Sequence, residues 1–424
     1  MATSSQMSPG QEAGRPQAQT TVEGGGGPFI RHSQPGMAPQ YSVSGTAYGS
    51  VITQPLVARP GYFRAFRVRH DSVGGATAGT FSTTLPGAAD SPWSINSLIQ
   101  LKDAFGTPLI VAPGYEATNL IPTLSGGFGT PLTNTASALN VPSSTGVSWG
   151  ATYTQALSTT GNGSFSYALP LEFTKGYGVL SGANASLLPT LQFNFNTLSN
   201  IYGSNVPGTA PTINTTVDAS FYWLPEGVAV EPPGLGTTRQ WVLQQGNPSV
   251  SSGGSARVQM PRLGGFLDTI AFIARDSNGN RNNSIWPSSR MQLYVDGVPL
   301  IDATTAEWFD DMAISYGLSA GQMGYTGVGG TYSSTYTPQL TLPTSSAAPY
   351  GGVLAINRKT SLMQASLGLL DTGEALLSTN PGTLVELNFA PAGTFVTNTG
   401  AATINILAGQ IVPTGAIIQG LPEV

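Results

Sequence analysis

Two stretches of this sequence, about 200 residues apart, carry the same punctuation in the same order. Gly61-Tyr62-Phe63-Arg64-Ala65-Phe66 returns as Gly265-Phe266-Leu267-Asp268-Thr269-Ile270. His70-Asp71-Ser72 is answered by Arg275-Asp276-Ser277, and Ser91-Pro92-Trp93 by Ser284-Ile285-Trp286. Ile99-Gln100-Leu101 then matches Met291-Gln292-Leu293, and Pro108-Leu109-Ile110 matches Pro299-Leu300-Ile301. The offset stays between 205 and 191 across the five blocks. Solenoid and propeller repeats recur every ~20–50 residues, so a period this long means a duplicated domain. Whatever fold one half adopts must also suit the other.

The repeated units read as strands. Tyr62, Arg64, Phe66 and Val68 alternate with Phe63, Ala65, Arg67 and Arg69, the period of two that a strand with one packed face requires. Ser97–Val111 holds a strand pair around Phe105-Gly106-Thr107-Pro108, and Leu169–Phe173, Leu191–Phe195 and Val217–Trp223 complete the first half. In the second half Met291–Val295, Val298–Ile301, Val385–Phe389 and Thr403–Pro413 repeat the plan. Arg239–Leu243, between the halves, reads as one more strand. Only Leu362–Leu377 suggests a helix, weakened by Gly368 and Gly373. With no alternating βα pattern the chain is all-β. About eight strands per half with long crossing loops describe two tandem eight-stranded jelly rolls.

The expected division is an arm at 1–46, a first jelly roll at 47–226, a linker at 227–255 and a second jelly roll at 256–424. The arm is Gly-, Gln-, Ser- and Pro-rich and offers little apolar surface to offset its ordering entropy, so it is expected to be flexible. Long Gly/Ser/Thr-rich inserts, Pro122 to about Ser166 and Gly317–Gly352, sit at equivalent places in the two halves.

Composition narrows the function. Charged residues make up 9% of the 424 positions, against a typical ~25%. Lys occurs only at 102, 175 and 359, and the net charge is −5, which argues against a dedicated nucleic-acid site. Cys is absent, which removes disulfides and thiolate chemistry. No apolar run approaches a membrane span of roughly 18 residues. The N-terminus shows no charged and apolar leader pattern, so assembly in the cytoplasm is expected.

Motifs with chemical meaning are few. Gly146–Gly150 and Gly317–Gly321 match G-x-S-x-G, but that elbow needs a later His, and the only histidines are His32 and His70. Asp276-x-Asn278-x-Asn280 imitates a calcium loop, yet Pro287 stands where the bidentate Glu belongs, so a hairpin turn is expected. Glu307-Trp308-Phe309-Asp310-Asp311 reads as a loop edge or helical turn with Trp308 and Phe309 packed inward. Arg64, Arg67 and Arg69 form the one dense basic cluster, assigned to ion pairs at a strand edge. No catalytic, cofactor-binding or metal-binding residue is assigned, no cofactor is expected, and the protein is not expected to be an enzyme.

The strand-for-strand duplication, paired inserts and preceding arm resemble the double jelly-roll major capsid proteins of icosahedral double-stranded DNA viruses, the lineage of adenovirus hexon and the tailless, membrane-containing phages. The resemblance runs from about Val51 to Pro413. It implies homotrimers of pseudo-hexagonal outline that form the capsomers of a virion shell, with the inserts as towers on the outer face and the arm on the inner face. Its implied partners are copies of the chain, neighbouring capsomers, and penton or minor capsid proteins; an internal membrane beneath the shell is left open. The competing reading is a jelly-roll adhesin or carbohydrate-binding protein.

Overall fold

The structure is a computed structural model. It describes residues 27–413, with breaks at 77–89, 126–146, 317–351, 358–376 and 391–401 and at shorter loop segments. The first half contributes β1 (Gln34–Ala47), β2 (Val51–Pro55), β3 (Tyr62–Val73), β4 (Asn96–Lys102), β5 (Pro108–Ala112), β6 (Val147–Ser148), β7 (Ala151–Gln155), β8 (Gly163–Pro170), β9 (Leu180–Ser181), β10 (Thr190–Phe195) and β11 (Thr212–Trp223). The second contributes β12 (Thr237–Gln244), β13 (Ser249–Val250), β14 (Ala256–Gln259), β15 (Phe266–Arg275), β16 (Arg290–Val295), β17 (Val298–Thr304), β18 (Val353–Asn357), β19 (Leu377–Ser378), β20 (Val385–Phe389) and β21 (Ala402–Pro413).

Pairing repeats between the halves. The order β1-β11-β3-β8 of the first recurs as β12-β21-β15-β18, and β5-β4-β10-β2 recurs as β17-β16-β20-β14. Even the short β9, on the start of β3, returns as β19 on the start of β15. Each half is thus an eight-stranded jelly roll whose two sheets face each other across an apolar core. Phe63, Phe66 and Val68 of β3 meet Ile99 and Leu101 of β4 and Leu191 and Phe193 of β10 in the first core. Ile270, Phe272 and Ala274 of β15 meet Met291, Leu293, Leu387 and Phe389 in the second.

The rolls are joined through a sheet as well as through the chain. A single parallel pair, Trp241↔Ile110, sets β12 beside β5 and fuses four strands of each roll into one larger sheet. This explains why β15 is buried on both faces from Leu267 to Ala274 while β3 alternates. One face of β15 fills its own roll; Ala271 and Ile273 on the other join the core of the first roll.

Several expectations are corrected. The arm is too long as drawn, because Gln34–Ala47 pairs along its length with β11 as the first strand of the first roll. Its preceding helix α1 (Gly27–His32) is pinned by Phe29, whose ring meets Tyr62 and Tyr222 edge-on at 5.6 and 5.3 Å. The linker 227–255 likewise contains β12, which pairs with β21 from Thr237 to Gln244. In the arm the strand was hidden by Gly and Pro, and pairing with long β11 outweighed weak propensity, whereas Arg239–Leu243 was legible as a strand and only its place in the second roll was not.

The first insert holds β6, β7 and the start of β8, preceded by a helical stretch, Glu116–Leu124, whose every residue is buried. Most of the second insert and nearly all of the helix expected at Leu362–Leu377 lie outside the described residues. A helix does form at Thr305–Tyr316. The repeat matching also needs one adjustment. Sheet register aligns Arg275 with Asp71 rather than His70, since Ser220↔Ala65 and Gly409↔Thr269 keep a constant count along both strands. A one-residue slip would have turned every side chain to the opposite face.

Candidate assembly surfaces and the seam between the rolls

The densest polar chemistry among the described residues lies where the rolls meet. Arg275, ending β15, forms an ion pair with Asp90 and reaches Glu116 at 2.9 Å. Arg281 bonds the other oxygen of Asp90 at 2.5 Å and lies 3.9 Å above the Tyr115 ring, a cation–π contact. Arg275 and Arg281 are held side by side by an antiparallel bridge across the turn that the Gly279 amide closes onto the Asp276 carbonyl at 2.9 Å. Asn278 and Asn280 of the segment resembling a calcium loop lie outside the described residues, while the flanking Arg275 and Arg281 aim two guanidinium groups at the first roll.

Burial tends to raise the Asp90 pKa, but the two arginines outweigh it and hold the carboxyl below its ordinary value. For Glu116 burial wins over the pull of Arg275, and its pKa is raised. A cavity of about 420 Å³ opens beside these groups, lined also by Asn96, Tyr115, Gln245 and Asn405. A second ion pair, Arg239–Asp268, is almost fully buried near the same junction. These partners are far apart in the chain, and no local spacing announces them.

The residues singled out from sequence are scattered. His70 is buried against Thr215 and Tyr167, with contacts of 3.0 Å to each, and Asn96 adds a third at 3.2 Å. Ser148 lies on β6, while the second G-x-S-x-G segment falls outside the described residues. Glu307 closes a capping box on the helix: its carboxylate accepts from the Thr304 amide at 2.6 Å while its own amide donates to the Thr304 hydroxyl at 3.3 Å. Thr304-x-x-Glu307 was a readable helix-start signal. Trp308 and Phe309 pack inward, as expected.

Arg64 pairs with Glu172 at 2.6 Å, and Arg69 with Asp71 at 2.9 Å. Among the described residues no group of three or more acidic or histidine side chains is arranged to hold a metal ion, and no helix is long and apolar enough to cross a membrane. Exposed apolar side chains include several on sheet edges and turn tips: Met37 on β1, Val51 on β2, Val298 and Leu300 on β17, and Phe105 at the β4–β5 turn.

Two matched jelly rolls joined by a shared seam define the double jelly-roll fold. The same fold is seen, over 90% of this chain and 97% of the other, in the crystal structure of the STIV MCP, a major capsid protein, with a TM-score of 0.55 and 14% identity. A structure from Sulfolobus Turreted Icosahedral Virus matches over 90% and 91% of the two chains, with a TM-score of 0.53 and 13% identity. No protein-family model and no curated protein sequence matches the chain.

Proposed function

We propose that this protein is a major capsid protein, forming trimeric, pseudo-hexagonal capsomers of an icosahedral virus shell. The observation that carries the reading is the duplication itself: one chain presents the same eight-stranded wall twice, joined by pairing of β12 with β5. Three such chains supply six similar lobes. The fold likeness over nearly the full length of both chains supports it. So does a composition with 9% charged residues, because long-lived assemblies bury ~2,000–5,000 Å² or more per interface with few charges at the centre.

On this reading the first roll runs from Gln34 to Trp223 and the second from Thr237 to Pro413. Residues 1–26 serve as the arm, the protein has no catalytic role, and its place is the virion. Its principal partners are its own copies, followed by neighbouring capsomers and vertex or minor proteins. Light scattering and negative-stain microscopy of the purified chain test this directly. Stable trimers that assemble into shells are expected; a monomer at all concentrations that instead binds glycans would overturn it in favour of an adhesin.

A further inference from the structure

The contact that joins the two rolls has an unoccupied copy of each of its sides. Register fixes the correspondence. Met37 pairs with Ser220 as Trp241 pairs with Gly409, and Ser220 and Gly409 occupy the same place against Ala65 and Thr269. Met37 is therefore the counterpart of Trp241. On the other side, β4–β5 and β16–β17 share one bulge, directly after Leu101↔Ile110 and Leu293↔Ile301. Leu300 is thus the counterpart of Leu109, and counting onward places Glu307 where Glu116 stands.

Exposure differs as a missing neighbour would make it differ. Trp241 is 4% exposed and Leu109 1%, on strands β12 and β5 that lie side by side at the seam, whereas Met37 is 60% exposed and Leu300 39%. Charge agrees. The outward face of β3 presents Arg67 and Arg69 at the places of Ala271 and Ile273, and both are exposed. The open side of the second roll presents exposed Asp302, Glu307 and Asp310. Arg69 and Asp302 have intramolecular partners, Asp71 and Arg290, but such solvent-facing pairs are worth only ~0–1 kcal/mol and can exchange.

We propose that β1 and the outer face of β3 in one copy dock on β17 and the Thr305–Tyr316 helix of a second copy. Met37 takes the place of Trp241, Leu300 that of Leu109, and Arg67 and Arg69 face Glu307 and Asp310. This rests on the trimeric capsomer reading and names the surfaces that would build it. The contact is heterologous, head to tail, so it builds no two-fold dimer, and a rotation that closes after three copies makes it a trimeric ring.

A chain without cysteine makes the test clean. Met37→Cys and Leu300→Cys are combined in one chain and treated with a short bismaleimide; denaturing gels should show a ladder ending at the trimer. Each single variant should remain uncrosslinked, and so should the control pair Val51→Cys with Leu300→Cys. In parallel, Met37→Asp and Leu300→Asp should each raise the concentration needed for assembly at least tenfold, while Val51→Asp leaves it unchanged. If wild-type protein is trimeric but the 37/300 pair gives no ladder and both Asp variants assemble normally, the docking is wrong and the capsomer reading survives. Crosslinking by Met37→Cys alone would mean a head-to-head contact and would also overturn it. A monomeric wild type would sink both together.

Discussion

Gly61 and Gly265 recur at the same place in the repeat, and each leaves room for a carbonyl. A Cβ on Gly265 would fall 2.6 Å from the Ile411 carbonyl oxygen, and one on Gly61 2.0 Å from that of Tyr222, its counterpart. Gly61 also holds a φ of +113°, which side chains disfavour. Gly265→Ala should cost about 1–3 kcal/mol, and Gly61→Ala more, both read from thermal unfolding; wild-type midpoints would refute the close approach. At the seam, Asp90→Asn removes the carboxylate charge that Arg275 and Arg281 share, although Arg275 keeps Glu116, and should cost about 3–5 kcal/mol. Glu116→Gln should cost less, since burial already pushes that carboxyl toward its neutral form. Equal losses in denaturant titrations would contradict this ranking.

His70 gives a pH dependence with a definite sign. Burial holds its pKa down to about 3, and the groups facing it are Thr215, Tyr167, Asn96 and the rings of Phe193 and Phe195, none of them charged at neutral pH. In the unfolded chain the imidazole titrates near ~6.5. Between those values the unfolded state binds the extra proton, so this contribution is present above about 6.5 and is lost as pH falls toward 3. The slope is about 1.4 kcal/mol per pH unit. Between pH 6.5 and 5, above the ordinary carboxylate range, unfolding of wild type should lose stability faster than His70→Asn; parallel slopes would exclude the burial effect.

At the scale of elements, β1 and β12 matter most, since each opens a roll from a segment with little apolar pattern. Chain ends tolerate removal only where their backbone is unpaired. Deleting residues 1–26, ahead of the Phe29 anchor and β1, should leave a folded trimer whose shells fail or change size. Deletion through Ser44 removes the anchor Phe29 and most of β1, stripping β11 of one neighbour, and should abolish soluble folded protein. Size-exclusion profiles of the two truncations separate these outcomes; equal behaviour would mean that β1 adds nothing. The helix at Thr305–Tyr316 belongs to this scale too. Its capping box and its inward-facing Trp308 and Phe309 were readable as a helical turn, but its full length to Tyr316 was not.

For the whole molecule, the seam makes the two rolls one body. Ala271 and Ile273 enter the core of the first roll, and β12 continues the sheet that β5 would otherwise end. A subunit built this way offers the same wall twice, which suits a shell tiled by copies of itself. The low charge has a related consequence, because surfaces poor in ions can meet without the cost of desolvating them.

The sequence alone determined the duplication, the all-β class and most strands, because periodicity and turn chemistry are local and repeat at a fixed distance. It determined the close approach at Gly61 and Gly265 only as an unexplained identity. Tertiary structure decided the rest. That Asp90, Glu116, Arg275 and Arg281 form one ion cluster depends on how two rolls pack, and pairs so distant in the chain leave no spacing to read. That Met37 and Leu300 stand open while Trp241 and Leu109 are covered depends on which neighbour each edge has, a property of the assembled sheet and not of any strand within it.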